Sequence, residues 1–65
     1  MNIKQIKAVE VVEGNIIQNT MDSIHRSLVV DVRENASMNG VWLEFGDYSA
    51  RFFGYEDTVY LATFD

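Results

Sequence analysis

Two dipeptides, Trp42–Leu43 and Phe52–Phe53, set large apolar side chains next to one another. Successive side chains on a β-strand point to opposite faces of the sheet. A strand through either pair therefore carries bulky apolar groups on both faces, and a single core takes only one of them. All eight aromatic residues, Trp42, Phe45, Tyr48, Phe52, Phe53, Tyr55, Tyr60 and Phe64, fall between Val41 and Asp65. This half of the chain is expected to build a sheet with a core face and a second, aromatic face.

The rest of the chain also reads with a period of two. Residues 4–13, "KQIKAVEVVE", are rich in β-branched side chains and run into Gly14–Asn15, after which "IIQNT" resumes. This predicts a first hairpin with a two-residue turn. From Ser27 onward "SLVVDVRE" reads as a strand, with Ile24, Leu28, Val30 and Val32 on one face and His25, Ser27, Asp31 and Arg33 on the other. A short helix over residues 20–27 competes, since Thr20 suits an N-cap and Met21, Ile24 and Leu28 recur at helical spacing. Two further hairpins are expected, turning at Gly46–Asp47 and at residues 54–57. The whole is read as one small domain spanning residues 1–65. Its expected class is mainly β, about five antiparallel strands in a curled sheet or small open barrel, with the one short helix as an option.

Those two turn lengths define a register. A two-residue turn at Gly46–Asp47 pairs Phe45 with Tyr48, Leu43 with Ala50, Trp42 with Arg51 and Val41 with Phe52. A loop over 54–57 then pairs Phe53 with Thr58, Phe52 with Val59 and Arg51 with Tyr60. The core face carries Val41, Leu43, Phe45, Tyr48, Ala50, Phe52, Val59 and Leu61. The other face carries Trp42, Glu44, Arg51, Phe53 and Tyr60, with Arg51 stacked between Trp42 and Tyr60 and Glu44 diagonal to it. Trp, Tyr and Arg are the residue types enriched at binding hot spots.

Charge sharpens the reading. Residues 1–33 hold four cations and four anions, whereas residues 34–65 hold one cation and six anions, so the second half carries the entire net charge of −5. That half repels phosphates and attracts a basic surface. Tyr55, Glu56 and Asp57 join the aromatic face as candidate contacts with a partner.

Catalytic and metal-binding patterns are sparse. Cysteine is absent, so neither a disulfide nor a thiolate metal site forms. His25 is the single histidine, and its neighbours Ser23 and Ser27 show no activating group. No phosphate-loop or dinucleotide fingerprint occurs. No cofactor, metal or catalytic residue is expected, and the chain is not read as an enzyme. No run approaches the roughly 20 apolar residues of a membrane span, and no leader segment is evident. A cytoplasmic protein is expected, in a host cytoplasm if phage-encoded.

The favoured function is a protein-binding module that inhibits or regulates a larger, basic partner. Phage and mobile-element proteins of this size and charge, including anti-restriction and anti-CRISPR proteins and nucleic-acid mimics, are the analogy. Alternatives are an assembly subunit or homodimer that buries the aromatic face, and a small-barrel binder of single-stranded nucleic acid. The acidic balance weighs against nucleic acid.

Overall fold

A computed structural model describes residues 1–64. Six strands form one antiparallel sheet: β1 (Asn2–Lys7), β2 (Ile16–Gln18), β3 (Ser27–Asn35), β4 (Gly40–Phe45), β5 (Ala50–Gly54) and β6 (Thr58–Thr63). Their order is β1-β6-β2-β3-β4-β5, so the sheet is open and β1 and β5 are its edges. The helical segments among the described residues are two 3-10 turns, Ala8–Glu10 and Ala36–Met38. The mainly-β class expected from the sequence is the one found.

The two edges do not pair, yet they meet at one end. Just past β1, Ala8 donates its N–H to the Asp57 carbonyl at 2.8 Å and Val9 donates to the Tyr55 carbonyl at 3.2 Å. Tyr55 and Asp57 follow β5 directly, so the sheet bends round a single core. Ala8, Ile17, Val29, Leu43 and Val59 all belong to that core. Each buried aliphatic side chain of valine or leucine size contributes about 1.5–3 kcal/mol.

The first hairpin is not formed. β1 pairs with β6, from Asn2 opposite Thr63 to Lys7 opposite Thr58. After Lys7 the chain turns, because the Glu10 carboxylate accepts the Lys7 N–H at 2.8 Å. Ala8 and Val11, three apart, both point into the core. That spacing belongs to a 3-10 turn, in which residues i and i+3 eclipse, and not to a strand. Gly14 adopts φ +95° and donates its N–H to Val29, and Asn15 leads into β2.

No helix forms over residues 20–27. A single bond from the Ser23 N–H to the Thr20 carbonyl, 3.3 Å, closes one turn. The Gln18 side chain, 4% exposed, holds this loop by donating to the Thr20 and Met21 carbonyls at 2.8 and 2.9 Å. The apolar stripe that suggested a helix has no core to face: Ile24 is 81% exposed, and Met21 and Leu28 are also exposed.

β3 begins at Ser27 as expected, but its faces differ. Val29 lies opposite Phe45 and Asp31 opposite Glu44, so Val30 is an inserted residue, a β-bulge. An inserted residue shifts the alternation by one. Val29 is buried, Val32 packs on the core, and Asp31 and Arg33 turn outward. Were Val30 paired as an ordinary strand residue, the two charged side chains would follow Val29 into the core.

The turn after β4 is longer than two residues. Tyr48 donates its N–H to the Phe45 carbonyl at 3.0 Å, and Phe45 donates its own to Ser49 at 2.8 Å. The loop is Gly46-Asp47-Tyr48, with Tyr48 left-handed at φ 69°. A three-residue loop of this kind ends in a left-handed residue, a place glycine usually takes. Here Asp47 stabilises the bend by accepting the Ser49 N–H and hydroxyl. The extra residue moves the register by one, to Leu43 opposite Arg51, Trp42 opposite Phe52 and Val41 opposite Phe53. Ala50 and Phe52, expected on the core face, therefore turn outward.

The third expected hairpin is also replaced. A tight turn does close at Gly54–Asp57, where the Asp57 carboxylate accepts the Gly54 N–H at 2.8 Å. It carries the chain across the core, and β6 inserts between β1 and β2 instead of pairing with β5. Leu61 then lies opposite Lys4 on one side and Ile17 on the other.

Candidate protein-binding face

The bulge in β3 and the three-residue loop after β4 together set what appears on the outer face of β3, β4 and β5. Two rows cross these strands. Arg33, Trp42 and Phe52 form one, and Asp31, Glu44 and Ala50 form the other. Side chains opposite one another on such strands are about 4.5–5.5 Å apart at Cβ. Trp42 is 40% exposed, and its ring meets Phe52 edge-on, with centroids 5.5 Å apart and an interplanar angle of 62°. Edge-to-face packing of this type holds both rings in fixed orientation.

Arg33 donates Nε–H to Asp31 Oδ2 at 2.8 Å. That hydrogen bond, the Asp31 charge and then the Glu44 charge raise the guanidinium above its ordinary value. Glu44 has no ion-pair partner among the described residues. The Asp31, Arg33, Trp42, Glu44 and Ala50 side chains line a shallow depression of about 280 Å³. Its floor is rigid sheet, its flank is an indole, and its charge is net negative.

The eight residues proposed from the sequence are divided by the fold. Trp42 and Glu44 lie on this face. Arg51 and Phe53 lie on the opposite side of β5, where the Arg51 guanidinium sits 5.2 Å over the Phe53 ring and donates to Asn19 Oδ1 at 2.9 Å. The expected stacking of Arg51 between Trp42 and Tyr60 is therefore absent. Tyr60 lies on β6, opposite Gln5 and Gln18, with three strands between it and β5. Tyr55 packs on the core and donates its hydroxyl to Glu34 at 2.8 Å. Glu56 pairs with Lys7 at 2.8 Å. Asp57 caps its own turn. Asp31, Arg33, Ala50 and Phe52 are the residues of this face that sequence reasoning did not place there. For Asp31 and Arg33 the signal was present, since both alternate with Val32 on β3.

His25 lines a smaller cleft of about 110 Å³ together with Ser27, Ser49 and Arg51. The Ser23 hydroxyl both donates to the His25 carbonyl and accepts the His25 N–H, each at 3.1 Å. Among the described residues no three His, Cys, Asp or Glu side chains are grouped closely enough to share a metal ion. No helix among them is long and apolar enough to cross a membrane.

The Tyr55–Glu34 bond has a pH signature. Donation to Glu34, with burial and the Glu34 charge adding to it, raises the Tyr55 phenol above its ordinary value near 10. A folded-state value above the unfolded one stabilises the fold fully below the unfolded value, and the contribution is lost as pH rises through the folded one. We expect a tyrosine ionisation above the ordinary range in an alkaline absorbance titration, and Tyr55→Phe to remove it. A titration of Tyr55→Phe that still shows a delayed tyrosine would contradict the Tyr55–Glu34 contact.

Comparison with known proteins gives no family model, no curated protein and no solved structure that matches this chain.

Proposed function

We propose that this chain is a non-catalytic protein-recognition module that inhibits or regulates a larger protein by occupying a basic patch on its surface. The observation that supports this reading is the Arg33–Trp42–Phe52 row beside the carboxylates of Asp31 and Glu44. A rigid, half-exposed indole flanked by an arginine and a second ring has the composition of an interface hot spot. The neighbouring carboxylates favour a cationic partner and disfavour a phosphate backbone.

The test is a pull-down from lysate of the source or host cell, with wild type, Trp42→Ala and Glu44→Lys as baits of verified fold. Truncating a hot-spot tryptophan costs about 2 kcal/mol or more, roughly thirtyfold in affinity. A protein retained by wild type and lost by both folded variants is the expected result. Equal retention by all three baits would remove this face from consideration.

A further inference from the structure

The free edge of β5 borders this face, and its backbone is open to pairing. The Ser49 carbonyl accepts the Phe45 N–H and Tyr55 donates its N–H to the Asn39 carbonyl, so the odd-numbered residues of this strand turn their backbone groups toward β4. Alternation turns the N–H and C=O groups of Ala50 and Phe52 the other way. Neither residue has a hydrogen-bond partner on that side among the described residues. The other edge, β1, carries Lys4 and Lys7, the residue type that most often blunts an exposed edge. On β5 the one charge is Arg51, and its head group is held by Phe53 and Asn19.

We infer, resting on the recognition reading above, that the partner adds an extended strand antiparallel to β5, with an apolar residue opposite Phe52 and a basic residue opposite Ala50. Antiparallel addition continues the existing sheet and is the more stable pairing. It completes four hydrogen bonds, two at Ala50 and two at Phe52. The apolar residue extends the row of Trp42 and Phe52. Ala50 is the low point of the edge, and the depression behind it is walled by Glu44 and Asp31. The incoming strand and β4 lie about 10 Å apart, two strand spacings. An extended Lys or Arg side chain and the Glu44 side chain cover that distance across the Ala50 methyl. Read from N to C terminus, the incoming segment has the pattern apolar–x–basic.

A second copy of this chain is the poorer occupant. A register that pairs Ala50 with Phe52 of the other copy sets Arg51 directly against Arg51, and like charges so placed are destabilising. A register centred on Phe52 sets Ala50 against Gly54. The Gly54 N–H and C=O are already bonded to Asp57 in their own turn.

The test starts from random ten-residue peptides displayed on phage and selected against the immobilised full chain. Enrichment of apolar–x–Lys/Arg is expected. In a nuclear magnetic resonance titration with one selected peptide, the Ala50 and Phe52 amides become protected from hydrogen exchange. Ala50→Pro removes a donor that the fold does not use, and proline is tolerated on an edge strand. It is expected to weaken the peptide at least tenfold, about 1.4 kcal/mol, with the fold kept. Glu44→Lys weakens it similarly, and a peptide with Glu in place of its basic residue recovers binding to that variant. Selected peptides that bind without protecting these amides, or no enrichment of the pattern, overturn the inference. Binding lost in Trp42→Ala but untouched in Ala50→Pro leaves the recognition face standing and removes strand addition. A concentration-dependent dimer of the chain alone, with the same two amides protected, replaces the partner strand with a second copy.

Discussion

Gly40→Ala is expected to lose most of the stability of this domain, about 3 kcal/mol, and to release the Phe52 ring. A Cβ built on Gly40 falls 2.3 Å from Phe52 Cζ and 2.3 Å from the Phe53 carbonyl oxygen. The ring can rotate away, but the carbonyl belongs to the backbone of β5. Relief requires β5 to move off β4 at the end where Gly40 faces Gly54. Overpacking a tight site costs about 1–3 kcal/mol, and backbone contact puts this case at the upper end. A single core below 70–80 residues rarely supplies more than about 3–5 kcal/mol. The urea midpoint of Gly40→Ala should therefore fall most of the way to zero, and Trp42 fluorescence should change as its edge-on neighbour departs. A midpoint close to wild type would mean that β5 does not approach Gly40 this closely. The glycine thus serves as a seat for an aromatic ring across the strand pair, a known compensation for glycine in a sheet.

Leu43→Ala is expected to destabilise by about 2–5 kcal/mol, while Trp42→Ala, one residue away, should cost far less. Leu43 is 0% exposed and sits opposite Val32 and Arg51, so its removal leaves a cavity that the surrounding strands cannot collapse. Trp42 loses its contact with Phe52, a pair worth about 0.5–1.5 kcal/mol, and, already 40% exposed, leaves no enclosed cavity behind. Denaturant unfolding of the two variants side by side reads the difference directly. Similar losses in both would mean that the assignment of inner and outer faces on β4 is incorrect.

The alternation of β4 was legible from the sequence, because it depends only on neighbouring residues. Val41, Leu43 and Phe45 point inward and Trp42 and Glu44 outward, as the period of two requires. The assignment of Val59 and Leu61 to the core face follows in the same way. What was not legible turns on single residues. Gly46 invited a two-residue turn, but the left-handed residue of the actual loop is Tyr48, a type that seldom adopts positive φ. That one conformation exchanged the faces of Ala50 and Phe52 with those of Arg51 and Phe53. Val30 has nothing in its identity that marks a bulge; only the need to keep Asp31 and Arg33 out of the core reveals it. The place of β6 was not readable from a turn at all. Its partners are set by burial on both sides, next to Ile6 and Ile17, and no local signal reports them.

The pairing of β1 with β6 also orders events in time. Asn2 finds Thr63, and Lys7 finds Thr58, across almost the whole described chain. Contacts of such sequence separation close the largest loops and slow folding. The meander of β3, β4 and β5 is joined by short turns, so its contacts close small loops and are expected to form first. β1 closes late, and its apolar Ile3 and Ile6 lack their partners until β6 is in place. Closure of the core is thus expected to be the late event of folding, after the meander that bears Trp42 has formed.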